Sequence, residues 1–279
     1  MRDQSLKWSQ RDRSAQVLWC FGILMVLMAL VISGCSELDH LKQRVEAGLS
    51  ATPSIRVTFD FRKGSQGWEA DFADYAIAQA DMQFESGLRR LPRELNADLT
   101  GFYIHGNNRH HDLFMFIRRR LGPGDGIGKK EAYVVTFRLV VASNISGNCM
   151  DIHGVSGEDV YLKVGASSTM PAAIPKDGSY RMNVDKGEDS TGGKDASLIG
   201  KLANGLRCKD FPSRYDVPYV SLERFHRHPF PVITNETGEL WLLVGIDSGF
   251  ESLTGPYYQQ IAVELTPVTG DALPAGSSK

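Results

Sequence analysis

Alternation of polar and apolar residues marks the segment Arg56-Val57-Thr58-Phe59-Asp60-Phe61. A period of two places successive side chains on opposite faces of an extended chain, which is typical of a β-strand with one buried face. The segment ends at Gly64-Ser65-Gln66-Gly67, a run of turn-forming residues, and Trp68 follows. The pattern therefore predicts that a β-domain begins near residue 55.

Comparable short segments recur to the end of the chain, each rich in Val, Ile, Phe or Tyr and bounded by Gly, Pro, Asn or Asp. The further predicted strands are Gly101–His105, Leu113–Arg118, Ala132–Ser143, Asp159–Val164, Ser179–Asp185, Pro231–Thr234, Glu239–Ile246 and Tyr257–Thr266. After residue 50, helical turns are predicted only at Leu198–Leu206 and Val220–Arg227. Many short strands without intervening helices predict an all-β fold, a single large β-sandwich or barrel.

The composition of the chain argues against one class of function, nucleic-acid binding. The chain has 279 residues, of which 42% are hydrophobic and 23% charged, and its formal net charge is −2. These values are typical of a globular protein and leave no basic field of the kind that nucleic-acid binding requires. We therefore expect no nucleic-acid partner.

The amino-terminal region resembles the signal peptide of bacterial lipoproteins. Basic residues precede an uncharged, mostly apolar run over residues 17–32, which closes with Ile32-Ser33-Gly34-Cys35. The run has the length of a signal-peptide core and is short for a membrane-spanning helix. The resemblance to a lipobox implies that Cys35 becomes the lipidated amino terminus, and Ser36 after it favours the outer membrane. The alternative is an uncleaved signal anchor. Either places the protein in the cell envelope, attached to a membrane.

The domain organisation follows from these patterns. Residues 1–34 are predicted to be the lipoprotein signal peptide, and residues 35–54 a lipidated terminus with a short helical tether, because Leu38, Leu41, Val45 and Leu49 recur at helical spacing. The β-sandwich is predicted over residues 55–267. Residues 268–279, rich in small side chains, are predicted to be a disordered tail.

Four cysteines are present, and two of them belong to the amino-terminal region, Cys20 in the apolar run and Cys35 at the predicted lipid site. Cys149 and Cys208 remain. In an oxidising envelope compartment an isolated pair is expected to form a disulfide. The alternative is two free thiols.

Several segments together resemble the galactose-binding-like jelly roll found in many carbohydrate-binding modules. The resemblance begins with Phe59-x-Phe61, Gly64-Ser65-x-Gly67-Trp68 and the closing Tyr257-Tyr258-Gln259-Gln260-Ile261-Ala262-Val263-Glu264-Leu265. It implies that the first and last strands pair. The segments 71–75, 106–109, 157–165 and 247–251 extend it to a group of uncharacterised bacterial lipoproteins, over roughly residues 55–267. That group has no known activity, so the resemblance implies a fold and nothing more.

One polar segment is a candidate ligand site. His105-Gly106-Asn107-Asn108-Arg109-His110-His111-Asp112 places imidazoles, amides, a guanidinium and a carboxylate between two predicted strands. Such groups supply the paired donors and acceptors that sugar hydroxyls require. We therefore predict ligand binding by His105, Asn107, Asn108, Arg109 and Asp112. Trp68 and Tyr75 are predicted to stack on sugar rings, with packing in the core as the alternative for such aromatic residues. The alternatives are a metal site at the histidines and Asp112, or an ordinary turn.

Two acidic segments are candidates for a structural ion. Asp247-Ser248-Gly249-Phe250-Glu251 follows an apolar strand, and a loop with two carboxylates can bind Ca²⁺ through Asp247 and Glu251. The alternative is a turn capped by Asp247 and Ser248. The glycine-rich, acidic run over residues 183–195 lacks the spacing of an EF-hand and is interpreted as a flexible surface loop.

The sequence thus predicts a lipid-anchored envelope protein that binds a ligand, with carbohydrate as the expected class. The alternatives are a calcium-dependent hydrolase of envelope glycans and a structural partner in an envelope complex. The sequence contains none of the common nucleophile or zinc-protease motifs, so it leans away from an enzyme without deciding the matter.

Overall fold

The computed structural model describes residues 53–109, 112–151 and 153–268. The strands within these ranges are β1 (Ile55–Asp60), β2 (Glu69–Ala73), β3 (Tyr75–Ala76), β4 (Glu85–Arg90), β5 (Thr100–Asn107), β6 (Leu113–Leu121), β7 (Ala132–Ser143), β8 (Val160–Ser167), β9 (Ala173–Lys176), β10 (Ser179–Met182), β11 (Ala196–Lys201), β12 (Val220–Arg227), β13 (Val232–Ile233), β14 (Leu240–Ser248), β15 (Leu253–Thr254) and β16 (Tyr257–Val268). Single 3₁₀ turns lie at Phe61–Lys63, Arg93–Leu95, Pro123–Asp125, Gly157–Asp159, Cys208–Asp210 and Arg214–Asp216.

These strands form two stacked antiparallel sheets and a small third sheet. The eight-stranded sheet has the order β12-β7-β16-β5-β15, with β1 on β16, β13 on β7 and β4 on β5. The five-stranded sheet has the order β11-β8-β14-β6-β2, and the three-stranded sheet has the order β3-β10-β9. The predicted all-β sandwich is confirmed.

The main core lies between the eight-stranded and five-stranded sheets. Alternate residues of β7, such as Phe137 and Leu139, face alternate residues of β14, such as Leu242 and Val244, and all four are fully buried. Residues at intervening positions of the five-stranded sheet point away from this core. On that outer face, Phe114, Phe116 and Leu243 pack with Val184 in a second, smaller apolar cluster. The five-stranded sheet is therefore buried on both faces.

The first and last strands pair as the resemblance implied. β1 runs antiparallel to β16, with Val57 opposite Val263 and Phe59 opposite Ile261. Cys149 and Cys208 are disulfide-bonded, with a Cα–Cα distance of 5.1 Å. The bridge was predicted from the cysteine count, and it closes a loop whose constraint is worth about 4 kcal/mol on the chain-entropy model.

Both predicted helical turns are wrong. Val220–Arg227 forms the strand β12, which pairs with β7 along its whole length. Arg224 and His226 occupy two of its half-buried positions. Because these residues are polar, the sequence does not show the alternation of apolar and polar residues that is typical of a strand. Residues 196–201 form β11 against β8, and the chain beyond them contains no helix before the 3₁₀ turn at Cys208.

Several predictions fall outside the described residues. They are the signal peptide, Cys35, nearly all of the tether, His110, His111 and the tail beyond Val268. In the described part of the chain, no helix is long and apolar enough to cross a membrane.

Candidate functional site

A cleft of about 950 Å³ lies beside the outer face of the five-stranded sheet. Its lining comes from the three-stranded sheet and from the segment that follows β10. The apolar lining includes Ile174 of β9 and Met182 of β10. Ile174 is 42% exposed, so the cleft offers an open apolar surface beside its polar groups.

The position of Asp74 explains how the cleft forms. Asp74 lies between β2 and β3, and its backbone φ of 60° is in the left-handed region, which aspartate tolerates better than most residues. The turn ends the pairing of β2 with β6 in the five-stranded sheet and directs β3 toward β10. The chain thereby leaves one sheet and begins the next, and the three-stranded sheet forms one side of the cleft.

Charged side chains dominate the lining, and carboxylates outnumber cations. The carboxylates are Asp74, Asp112, Asp177, Asp185, Glu188 and Asp189, and the cations are Lys176, Arg181 and Lys186. This lining favours ligands that are neutral over ligands that carry several negative charges.

Six charged residues form a continuous chain of alternating sign, which we call the ion-pair chain. It consists of Lys163, Asp247, Lys186, Asp74, Arg181 and Asp112, in that order. Lys163 Nζ and Lys186 Nζ lie 2.6 and 2.9 Å from Asp247 Oδ2. Lys186 Nζ is also 3.1 Å from Asp74 Oδ2, and Arg181 Nη1 is 2.6 Å from Asp112 Oδ2.

Burial changes steeply along this chain. The side chains of Lys163 and Asp247 are 0% and 1% exposed, whereas those of Arg181 and Asp112 are each 46% exposed. Lys163 and Asp247, at the buried end, lie inside the fold, whereas Arg181 and Asp112, at the exposed end, lie in the cleft. Arg181 and Asp112 are therefore the members most accessible to a bound molecule.

The environment shifts the pKa of four members, and the hydrogen bond with Asp112 raises the pKa of Arg181. Burial lowers the pKa of Lys163, although Asp247 acts in the opposite direction. Burial also acts to lower the pKa of Lys186, but the carboxylates of Asp247 and Asp74 outweigh it and raise that pKa. Burial raises the pKa of Asp112; the hydrogen bond from Arg181 opposes this rise, and the negative charge of Asp74 adds to it. The two buried lysines thus have opposite shifts.

Asp185 fixes the segment that lines the cleft after β10. Its Oδ1 accepts a hydrogen bond from the N–H of Gly187, and its Oδ2 accepts one from the N–H of Lys194. These bonds lower the pKa of Asp185, with the bond from Lys194 contributing most. Gly193 approaches so closely that a Cβ there would lie 2.1 Å from Asp185 Oδ1. The interpretation of residues 183–195 as a flexible surface loop missed this arrangement.

A second polar cluster holds the same segment from the other side. Ser197 Oγ is 2.8 Å from both His226 Nε2 and His228 Nδ1, and His228 Nε2 is 2.9 Å from the carbonyl oxygen of Lys194. Because a carbonyl only accepts, His228 Nε2–H is the donor to Lys194. Neutral His228 then accepts at Nδ1 from the Ser197 hydroxyl, which in turn accepts from His226 Nε2–H.

Burial lowers the pKa of both His226 and His228 below the usual histidine value. The unfolded chain therefore binds protons at a higher pH than the folded chain does. Above the unfolded pKa of about 6.5, these two histidines should not make the free energy of unfolding depend on pH. As the pH falls through about 6.5 and below, the free energy of unfolding should decrease. Denaturation of the full-length protein between about pH 7.5 and pH 5 measures this slope. The slope should be smaller in His228→Gln, and equal slopes would assign the effect to other groups.

The predicted ligand residues are not brought together. Of the seven, only Asp112 lines the cleft. Tyr75 lies in β3, with its ring 5.2 Å from that of Tyr180 in the three-stranded sheet. His105 Nδ1 is 2.9 Å from the carbonyl oxygen of Gln83, and Arg109 pairs with Asp81 at 3.2 Å.

Three of the predicted ligand residues are buried and have structural contacts, and ligand binding by the predicted set stays a prediction. Trp68 is 3% exposed and packs edge-on against Phe59 in the main core, so its ring has no open face for a sugar. Asn108 is 2% exposed, and its amide donates to the carbonyl oxygens of Ser248 and Phe250. Asn107 is 6% exposed, and its side-chain oxygen, with the amide oriented to suit its neighbours, accepts hydrogen bonds from the guanidinium of Arg109.

The two carboxylates of the calcium prediction have separate partners. Asp247 is the penultimate residue of β14 rather than a loop residue, and Lys163 and Lys186 supply its countercharge. Glu251 pairs with His153, Nδ1 to Oε2, at 2.7 Å. In the described residues, no group of three or more His, Cys, Asp or Glu residues could hold a metal ion. Calcium binding itself stays a prediction.

The site residues that sequence reasoning missed are Lys163, Arg181, Lys186 and Asp74. Lys163 offered one signal, because it is the only charged residue of the strand Val160–Ser167. A lysine in a strand that is otherwise buried requires a carboxylate partner. Nothing in the sequence identified that partner as Asp247, since the two are 84 positions apart.

No family model matches the chain, and no curated protein matches it. Similar solved structures include TmCBM61 in complex with β-1,4-galactotriose, which is 10% identical, with 73% of this chain and 92% of that chain covered and a TM-score of 0.32. The C-terminal family 22 carbohydrate-binding module of Clostridium thermocellum Xyn10B is 12% identical, with 77% and 94% covered and a TM-score of 0.33. The K1 cleaved adhesin domain of Lys-gingipain from Porphyromonas gingivalis W83 is 11% identical, with 75% and 96% covered and a TM-score of 0.32. These identities and TM-scores are too low to support any conclusion about this chain.

Proposed function

We propose that this protein binds a neutral carbohydrate in the cleft beside the five-stranded sheet. The observation that carries the proposal is the lining of the cleft, in which a guanidinium, two ammonium groups and several carboxylates lie beside the open apolar surface of Ile174. Sugars present hydroxyl groups that both donate and accept hydrogen bonds, together with apolar C–H faces, and this lining complements both. A volume of about 950 Å³ accommodates more than one sugar ring.

Arg181 and Asp112 are the central polar groups of the proposed site. They lie at the exposed end of the ion-pair chain, and the buried end holds them in place through Asp74 and Lys186. A donor and an acceptor fixed in this way suit adjacent hydroxyls of one sugar ring. Lys176, Asp177 and Glu188 are exposed at the same cleft and supply further contacts.

The envelope location in this proposal comes from the sequence. With Cys35 lipidated, the acyl chains hold the protein at a membrane, in the outer membrane by preference, and the sandwich presents its cleft to glycans of the envelope or its surroundings. Anchored in this way, the protein retains carbohydrate at the cell.

The alternative, a glycan hydrolase, rests on the raised pKa of Asp112 near the second carboxylate of Asp74. A raised pKa suits a general acid, and glycoside hydrolysis requires two carboxyl groups. Asp74 is, however, engaged by Lys186 and Arg181, which favours binding over catalysis.

The test is a binding panel with the purified full-length protein. We expect retention on neutral oligosaccharides and weaker retention on polymers of uronic acids or sulfated sugars, because carboxylates outnumber cations in the cleft. Binding that is strongest for polyanions, or absent for every neutral glycan tested, contradicts the proposal. Release of reducing ends from a bound oligosaccharide identifies the hydrolase instead.

A further inference from the structure

The buried end of the ion-pair chain joins two neighbouring strands of the five-stranded sheet. In the pairing of β8 with β14, Lys163 lies opposite Gly245 and Asp247 lies opposite Tyr161. Lys163 and Asp247 are therefore diagonal neighbours on the outer face. Lys163 Nζ lies 2.6 Å from Asp247 Oδ2, and both side chains are almost completely buried.

Close packing confines this pair. The ring of Phe114 covers Gly245, where a Cβ would lie 2.2 Å from the ring. On the other side, the carbonyl oxygen of Lys186 accepts a hydrogen bond from Lys163 Nζ at 3.1 Å. An amine and a carboxyl group held together in a dry, rigid site have the high effective concentration that favours reaction between them.

The two lysines that contact Asp247 are suited to different roles. Burial lowers the pKa of Lys163, which favours the neutral amine, the form that acts as a nucleophile. The raised pKa of Lys186 keeps that residue an ammonium. Lys186 Nζ donates to the same Oδ2 at 2.9 Å and so draws electron density from the carboxyl group of Asp247.

We propose that Lys163 and Asp247 form an intramolecular isopeptide bond. One proton passes from the Lys163 ammonium to Oδ2 of Asp247, the lone pair freed on Nζ attacks Cγ, and the bond from Cγ to Oδ2 breaks with its electron pair leaving on oxygen. Oδ2 departs as water with two of the three protons of the original ammonium, and the amide nitrogen keeps the third. The ammonium and carboxylate thus become one amide and one water, with no oxidant, reductant or further reactant.

The bond removes one positive and one negative charge from a buried site. Since burying an ion pair carries a desolvation penalty that its own attraction often fails to offset, the amide relieves that penalty. It also links β8 to β14 across 84 positions of the chain and holds the sheet on which the cleft is built. This proposal does not depend on whether the cleft binds carbohydrate.

Mass spectrometry of the full-length wild-type protein tests the linkage. After reduction, denaturation and tryptic digestion, we expect residues 139–176 and 228–279 to remain joined, with a mass lower than their sum by one water molecule. Trypsin should not cleave after Lys163, because the acylated side chain is no longer cationic. Lys201, which pairs with Glu158 at 3.1 Å on the surface, is the internal control, and cleavage after it should be complete. Complete cleavage after Lys163 in the wild type overturns the proposal, whatever the variants do.

Variants test the chemistry. Lys163→Met and Asp247→Ala should lack the joined peptides. Asp247→Asn should form the same amide with loss of ammonia in place of water, so that its joined peptides have the wild-type mass. Joined peptides that persist in Lys163→Met would place the bond elsewhere and contradict the assignment.

Discussion

Replacing Lys186 with methionine is expected to lower the free energy of unfolding by about 3–5 kcal/mol, the usual cost of removing one partner from a buried ion pair. Methionine fills most of the same volume, so the loss reports the charge rather than a cavity. Without the ammonium, the cation that the described residues leave to Asp74 is the more distant Arg181, at 3.8 Å, and the carboxylate is 7% exposed in a poorly compensated site. Chemical denaturation of the full-length protein measures the change.

The matched control is Lys201→Met. Lys201 pairs with Glu158 at 3.1 Å, and both side chains are nearly half exposed. An exposed pair of this kind contributes about 0–1 kcal/mol. If the two substitutions lower the free energy of unfolding equally, the buried part of the ion-pair chain does not stabilise the fold.

The sequence predicted the architecture well where the strands are buried on one face or are strongly apolar. Ala132–Ser143 was predicted with the bounds that β7 has in the structure, and the pairing of the first and last strands was expected. Some of the strands that were missed consist mostly of polar or small residues. β4, for example, reads Glu85-Ser86-Gly87-Leu88-Arg89-Arg90, and its identity as a strand depends on its pairing with β5.

The candidate site was much harder to predict, because it depends on contacts between distant segments. Asp112 and Arg181 are 69 positions apart and meet only because the three-stranded sheet forms beside the five-stranded one. The sequence also emphasised local polar density, as in residues 105–112, where Asn107 and Asn108 prove to be buried within the fold. Asp247 was predicted to be a calcium ligand. Its partners are lysines that no local motif connects to it.

Arg181→Met is expected to weaken carbohydrate binding by about 10- to 100-fold, because a hydrogen bond to a charged group is worth about 1.5–3 kcal/mol. The substitution keeps the aliphatic part of the side chain and removes the guanidinium from the exposed end of the ion-pair chain. Stability should change little, since Arg181 and Asp112 are each 46% exposed. Calorimetric titration with a neutral oligosaccharide retained in the binding panel measures the affinity.

The same titration, carried out on wild type, Arg181→Met and Arg138→Met, tests most directly whether the cleft is the binding site. Arg138 pairs with Glu223 at 2.9 Å on the eight-stranded sheet, so its replacement removes the same charge without touching the cleft. We predict that Arg138→Met binds like the wild type and that Arg181→Met loses at least about tenfold in affinity. Equal affinities for all three proteins would contradict the assignment of carbohydrate binding to this cleft.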